Sequence, residues 1–224
     1  MRLHVVGDSV PAGYGLDDPT DAAWPARLPG YVAELAPRDV TVDASTGRTL
    51  RDCADRLTSE RLAEQFGTGG VDAETWSDDE ERVVCVHAGH NDAQLSGGEP
   101  RVDESEFRET ATELDARLAG SEIIDRHAFV GTVPLLSLDR PGTVPFGDEQ
   151  PARGVAYDDL LAGAVAVHLR IVTGERDDTE TDRRETAGEL STLDDWRDWT
   201  ADGVHPGPAG HDFLARRVAG WLTG

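Results

Sequence analysis

Residues 3–6 form an apolar run that stops at Gly7-Asp8-Ser9. A short run of this kind suits a buried strand, and a glycine followed by two polar residues suits the tight turn that leaves it. In open α/β sheets ligands sit beyond the carboxyl ends of the strands, so a serine directly after the first strand points into a site rather than into the core. The turn thus constrains the fold and places chemistry at one end of it.

The same grammar recurs along the chain. Residues 40–44, with Val-Thr-Val, read as a second strand, and 44–48 as the loop after it. Val83-Val84-Cys85-Val86 marks a third, running into Ala88-Gly89-His90-Asn91-Asp92; residues 128–133 and the later part of 165–172 give a fourth and a fifth. Between them lie helical patterns. Residues 24–35 predict a helix that starts after Pro25 or Pro29, and 49–66 predict one helix with Leu50, Cys53, Leu57, Leu62 and Phe66 near one face. Asp103 caps a third, with Glu106 placed for a capping-box variant, Phe107, Ala111, Leu114 and Leu118 along its apolar side, and Gly120 as its stop. Residues 152–163 give a fourth, and Leu214, Val218, Trp221 and Leu222 stripe a last helix after Pro206. Strands alternating with helices predict a parallel sheet covered on both faces.

The 224 residues suit one domain, 1–224, with a long connection over 134–151 able to cover part of a site. Residues 67–79 read as a loop and about 174–191 as an acidic loop or insertion. Asp and Glu number 44 against 21 basic residues, all arginine, for a net charge of −23. Such a surface repels phosphates and anionic lipid, so neither nucleic acid nor membrane is the expected partner. The balance resembles that of salt-in halophiles, a haloarchaeal-type acidic proteome; in molar salt the Debye length shrinks to ~3 Å and the self-repulsion is screened. No export signal or stretch of ~20 apolar residues is present, which predicts a cytoplasmic protein with no membrane insertion. Cys53 and Cys85 are expected as buried thiols. Oligomeric state is not legible.

The polar clusters at the strand ends, with Asp202-Gly203-Val204-His205-Pro206 before the last helix, collect what acyl transfer needs. A serine is a poor nucleophile until a base takes its proton, the base needs a carboxylate to hold its tautomer, and the tetrahedral intermediate needs donors for its oxyanion. Ser9, His205 and Asp202 can supply the first three roles, the three-residue step letting one turn bring carboxylate to ring.

These blocks resemble the SGNH hydrolase family, also called GDSL esterases and lipases. Gly7-Asp8-Ser9-Val10-Pro11-Ala12-Gly13-Tyr14-Gly15 looks like its first block, with Val10 where leucine is more usual. Asp43-Ala44-Ser45-Thr46-Gly47-Arg48-Thr49 looks like the second, with Asp43 for a frequent asparagine and Ser45 for a frequent glycine. Gly89-His90-Asn91-Asp92 is similar to the third, and Asp202-Gly203-Val204-His205-Pro206 to the last.

The resemblance implies a flavodoxin-like three-layer α/β/α sandwich with a five-stranded parallel sheet. It implies Ser9 as nucleophile, His205 as general base and acid, Asp202 as its orienting carboxylate, and an oxyanion hole from the N–H groups of Ser9 and Gly47 and the amide of Asn91. Asp8 is expected to hold the turn by hydrogen bonding, and neither metal nor organic cofactor is implied. The expected partner is a small-molecule acyl ester, cleaved through an acyl-enzyme. Acyl transfer to an alcohol, or deacylation of a carbohydrate or thioester, suits the same machinery. A non-catalytic ligand-binding protein on this fold is the alternative of another class. A metallophosphoesterase is disfavoured because Gly7-Asp8-Ser9 lacks Asp-x-His, and an α/β-hydrolase because no serine lies in Gly-x-Ser-x-Gly. Of the remaining histidines, His90 and His211 lie nearest the motifs, while His4, His87, His127 and His168 are expected to be structural or exposed. Trp24, Trp196, Trp199 and Phe146 are candidate pocket walls.

Overall fold

The computed structural model describes residues 1–67, 80–139, 141–147, 149–173 and 190–224. Its sheet is built from β1 (Arg2–Gly7), β2 (Val40–Ala44) and β3 (Arg82–His87), then, beyond a small hairpin of β4 (Leu95–Ser96) and β5 (Glu99–Pro100), from β6 (Arg126–Val130) and β7 (His168–Leu169). The five strands of the main sheet are all parallel, in the order β2-β1-β3-β6-β7. This is the doubly wound order whose switch point falls between β1 and β3.

Burial explains the pattern of the strands. Val5, Val83, Val84 and Cys85 in the central strands are wholly buried, as parallel strands covered on both faces must be, each aliphatic side chain contributing about 1.5–3 kcal/mol. The edge strands differ: Val42 of β2 is an exposed aliphatic, and β7 has only two residues. β6 ends at Val130 rather than 133 because Thr132 turns its N–H to the buried Asp158 carboxylate at 2.8 Å.

The helices are α1 (Pro19–Ala22), α2 (Trp24–Arg27), α3 (Leu50–Ala54), α4 (Ser59–Phe66), α5 (His90–Ala93), α6 (Glu104–Ala119), α7 (Gln150–Ala164), α8 (Leu193–Trp199) and α9 (Pro208–Thr223). α3 packs on α6 and α6 on α7, while α2 and α8 pack on α9, giving the two helical layers. The helix expected over 24–35 is short and begins before Pro25, which takes its second position, where a missing N–H costs nothing. Pro29 cannot donate a continuing hydrogen bond, and the chain passes into a 3₁₀ turn, Leu28–Gly30. The pattern over 49–66 is likewise two helices, because the Thr58 hydroxyl caps α4 at the Arg61 N–H; all five apolar residues named for it are nevertheless buried.

Asp103 caps α6 through the N–H groups of Ser105 and Glu106, both at 2.9 Å. The capping box that opens α8, Thr192 with Asp195, has no counterpart in the expected elements. Residues 68–79 and 174–189, which hold most of the two expected loops, lie outside the described residues. Ser191, at the end of the acidic stretch, is buried, pairing with Ile171 and Thr173. Cys53 and Cys85 are free and buried. No helix among the described residues is long and apolar enough to cross a membrane.

Candidate active site

The strand register assembles half of the site. Gly7, at the end of β1, pairs with Ala44 of β2 on one side and His87 of β3 on the other, so the three following loops leave the sheet side by side. They carry Ser9, Gly47 and Asn91. Close approach demands the glycine: a Cβ at residue 7 would lie 2.4 Å from the His87 carbonyl oxygen and 2.5 Å from Pro11 Cγ. Asp8, wholly buried, accepts the Val10 N–H at 3.0 Å and so shapes the turn that presents Ser9.

The other half arrives from the far end of the chain. His205 Nε2 lies 2.9 Å from Ser9 Oγ, and His205 Nδ1 lies 2.6 Å from Asp202 Oδ2. With a carboxylate at Nδ1, that nitrogen carries the proton and Nε2 offers its lone pair to the serine hydroxyl. The second oxygen, Asp202 Oδ1, accepts the N–H groups of Val204 and His205 at 2.9 and 2.8 Å and the Thr200 hydroxyl at 3.1 Å. Burial pushes the Asp202 pKa up, but the hydrogen bonds from the His205 ring, the His205 N–H and the Val204 N–H outweigh it, and the carboxyl stays well below the usual carboxylate range. Gly203 makes the tight return possible: its φ is +95°, and a Cβ would meet the Leu136 carbonyl oxygen at 2.4 Å. The Leu136 N–H donates to the Gly203 carbonyl and the Val144 N–H to that of Asp202, each at 2.8 Å. The connection over 134–151 therefore braces the base, and an open cleft of about 560 Å³ is lined by its own residues, Leu138, Val144, Pro145 and Phe146 among them.

Gly47 and Asn91 sit next to one another through their neighbours. The Asn91 Nδ2 donates to the Arg48 carbonyl at 2.9 Å, and the Leu50 N–H donates to the Asp92 carboxylate at 3.1 Å. Burial pushes the Asp92 carboxyl up to about 7. Among the described residues, the N–H groups of Ser9 and Gly47 donate to no protein acceptor. Beneath Asn91, His90 Nδ1 approaches Asp8 Oδ2 to 3.1 Å without the alignment of a hydrogen bond. Burial pushes Asp8 well up and His90 well down, so each is driven toward its neutral form.

Of the two histidines nearest the motifs, His90 thus lies under the site, while His211 is buried and accepts the Trp24 N–H at Nδ1, 3.1 Å away. Trp24 and Trp196 are not pocket walls: both are wholly buried, their indole N–H groups donating to His87 Nδ1 at 3.1 Å and Ser191 Oγ at 2.8 Å. Phe146 does flank the site, beside Gly203, whereas Trp199 packs on Phe213. Two residues with no assigned role in the motif reading also belong here. The exposed Tyr14 sets its ring against His205 at a tilt of 48°, centroids 4.4 Å apart, and Arg101 bonds to both Gly47 and Asn91. Tyr14 stood within the first block, but Arg101 lay in no block and carried no signal. Among the described residues, no group of three His, Cys, Asp or Glu side chains is placed to hold a metal.

Parallel sheet and strand-end site together define an α/β protein with a serine, a histidine and an aspartate joined at the strand ends, and comparison with known proteins makes the class specific. The model of the GDSL-like lipase/acylhydrolase family matches residues 5–213, and the chain belongs to this family. No curated protein matches it in sequence. Among solved structures it is similar to a member of the lipolytic protein G-D-S-L family from Veillonella parvula, at 15% identity and a TM-score of 0.60 over 100% of this chain and 98% of that one. It is also similar to the psychrotrophic esterase EstA from Pseudoalteromonas, at 16% identity and a TM-score of 0.56 over 100% and 99%. A third is Axe2, an acetylxylan esterase from Geobacillus stearothermophilus, at 17% identity and a TM-score of 0.56 over 97% and 91%. These likenesses concern the fold.

Proposed function

We propose that the protein hydrolyses small carboxylic esters through an acyl-enzyme intermediate. One observation carries this: Ser9 Oγ lies 2.9 Å from His205 Nε2 while Asp202 holds the other ring nitrogen at 2.6 Å. Ser9 Oγ attacks the ester carbonyl carbon as His205 takes its proton, and the Asp202 carboxylate stabilises the imidazolium. The oxyanion is received by the N–H groups of Ser9 and Gly47 and the Asn91 amide. Collapse breaks the bond to the alcohol oxygen, which leaves with the proton from His205. Water then attacks the acyl-serine with His205 as base, releasing the acid and restoring Ser9.

The esterase names of the Pseudoalteromonas and Geobacillus proteins favour ester substrates over other acyl compounds. The excess of acidic residues fits work in a salt-rich cytoplasm, where screening relieves self-repulsion. The test is turnover of p-nitrophenyl esters of rising chain length across a KCl series, with Ser9→Ala as the blank. Turnover should rise with KCl, fall by on the order of 10⁴ or more in Ser9→Ala, and stop on treatment with an alkyl phosphonate. Wild-type turnover in Ser9→Ala would overturn the reading.

A further inference from the structure

We propose that Arg101 is a positioning residue of the oxyanion hole, clamping together the two loops that supply Gly47 and Asn91; this rests on the reading above. Its guanidinium donates from Nη2 to the Gly47 carbonyl at 3.0 Å and from Nη1 to Asn91 Oδ1 at 3.5 Å. The first contact is well formed, and the second is at the long limit that a bound oxyanion can tighten. Only a planar fork with several donors can span both acceptors at once.

The backbone brings Arg101 there by a detour. The chain leaves α5 at Gln94, makes the β4–β5 hairpin around Gly97 and Gly98, and returns so that the Arg101 N–H donates to the Gln94 carbonyl at 2.8 Å. One residue on, the Val102 N–H donates to the Asp92 carbonyl at 3.2 Å, and the buried Tyr157 hydroxyl donates to the Val102 carbonyl. The side chain is exposed, but its root is anchored in the core.

Charge makes the choice of partners informative. With 44 acidic residues for 21 arginines, an exposed arginine has carboxylates in plenty, yet Arg101 bonds two uncharged oxygens. The consequence falls on Asn91. Among the described residues its Oδ1 faces the donors Arg101 Nη1 and Gln94 Nε2 (3.4 Å), while its Nδ2 donates to the Arg48 carbonyl and has His90 Nε2 at 3.5 Å. The amide therefore has one orientation, with one N–H held by Arg48 and the weakly engaged second N–H available to a ligand oxygen. A cation on Oδ1 also polarises the amide and strengthens that N–H as a donor. Oxyanion donors act by being fixed before charge develops, and Arg101 fixes them.

The test compares wild type, Arg101→Met, Arg101→Lys, Asn91→Ala and Ser9→Ala in the full chain on a neutral ester at one KCl concentration. Asn91→Ala sets the scale, a loss on the order of 10²–10³ in kcat. Arg101→Met should lose about tenfold in kcat with KM changed by less than about twofold, and Arg101→Lys should recover little of it. Millimolar guanidinium should restore part of the lost rate in Arg101→Met. Independently of turnover, the Asn91 side-chain N–H protons should exchange with solvent several-fold faster in Arg101→Met by NMR. An unchanged kcat, or a loss confined to KM, overturns the clamp. An inactive Ser9→Ala beside a fully active Arg101→Met sinks this proposal alone, whereas an active Ser9→Ala sinks the underlying reading.

Discussion

The turn that presents Ser9 and the turn that presents His205 meet at one hydrogen bond but are held by different means. The first is wedged between strands: the Asp8 N–H donates to His87 and the Ser45 N–H to Gly7, and Gly7, Asp8 and Ser9 are all buried. The second hangs between α8 and α9, gripped by the Asp202 carboxylate and by two backbone bonds from the long connection after β6. The nucleophile is placed by the core of the sheet. The base is placed by loops on its outside, so its position should be the more easily disturbed.

The largest effect that sharpens this contrast is expected from Asp202→Asn. An amide can still accept one backbone N–H, but it removes the charge that fixes the His205 tautomer, and kcat should fall by on the order of 10⁴ with the far-UV circular dichroism unchanged. A loss below tenfold would mean that the loops alone orient the ring. Next come paired substitutions. Gly7→Ala drives a methyl into the β3 backbone and should cost roughly 1–3 kcal/mol of stability, read as a fall in Tm. Gly203→Ala also clashes, against the Leu136 carbonyl oxygen that braces the base rather than the sheet; its signature should be a kcat loss of about 10² with a smaller fall in Tm. The reverse order of Tm effects would break the comparison.

The smallest effect separates the buried titratable groups from the exposed surface. Burial pushes His4 and His211 down to about 4, His87 to about 3 and His90 well below its ordinary range, whereas an unfolded chain takes up these protons near pH 6.5. Their contribution to stability is whole above about pH 6.5 and is lost as pH falls toward 4. Asp8 and Asp92, both pushed up, work in the opposite sense, losing stability as pH rises from their ordinary range, for Asp92 through about 7. Four histidines outweigh two aspartates, so Tm should drop by roughly 5 °C between pH 7 and pH 5 at constant KCl. His4→Asn should flatten that slope, since among the described residues His4 Nδ1 pairs with the Thr41 hydroxyl alone, 2.9 Å away.

The central strands were readable because a parallel strand buried on both faces must be apolar throughout, as Val83 to Val86 are. The helices were readable by face and misjudged by length. Leu50, Cys53, Leu57, Leu62 and Phe66 all reach the core, yet Thr58 divides the helix that carries them, since a capping hydroxyl competes with helix continuation and periodicity does not register it. Trp24 and Trp196, read as pocket walls, prove to be core because their indole N–H groups find buried partners, which only packing reveals.

What the chain determined alone was local: which residue types stand at the ends of strands, where turns must form, and that the surface is strongly acidic. Backbone sterics, burial and composition act over a few residues, and a pattern records them. The tertiary structure decided what lies across from what, including the 2.9 Å between Ser9 and His205, the approach of His90 to Asp8, and the reach of Arg101 to Gly47 and Asn91. Those contacts join residues from 10 to 196 positions apart, and their geometry is set by strand register and helix packing.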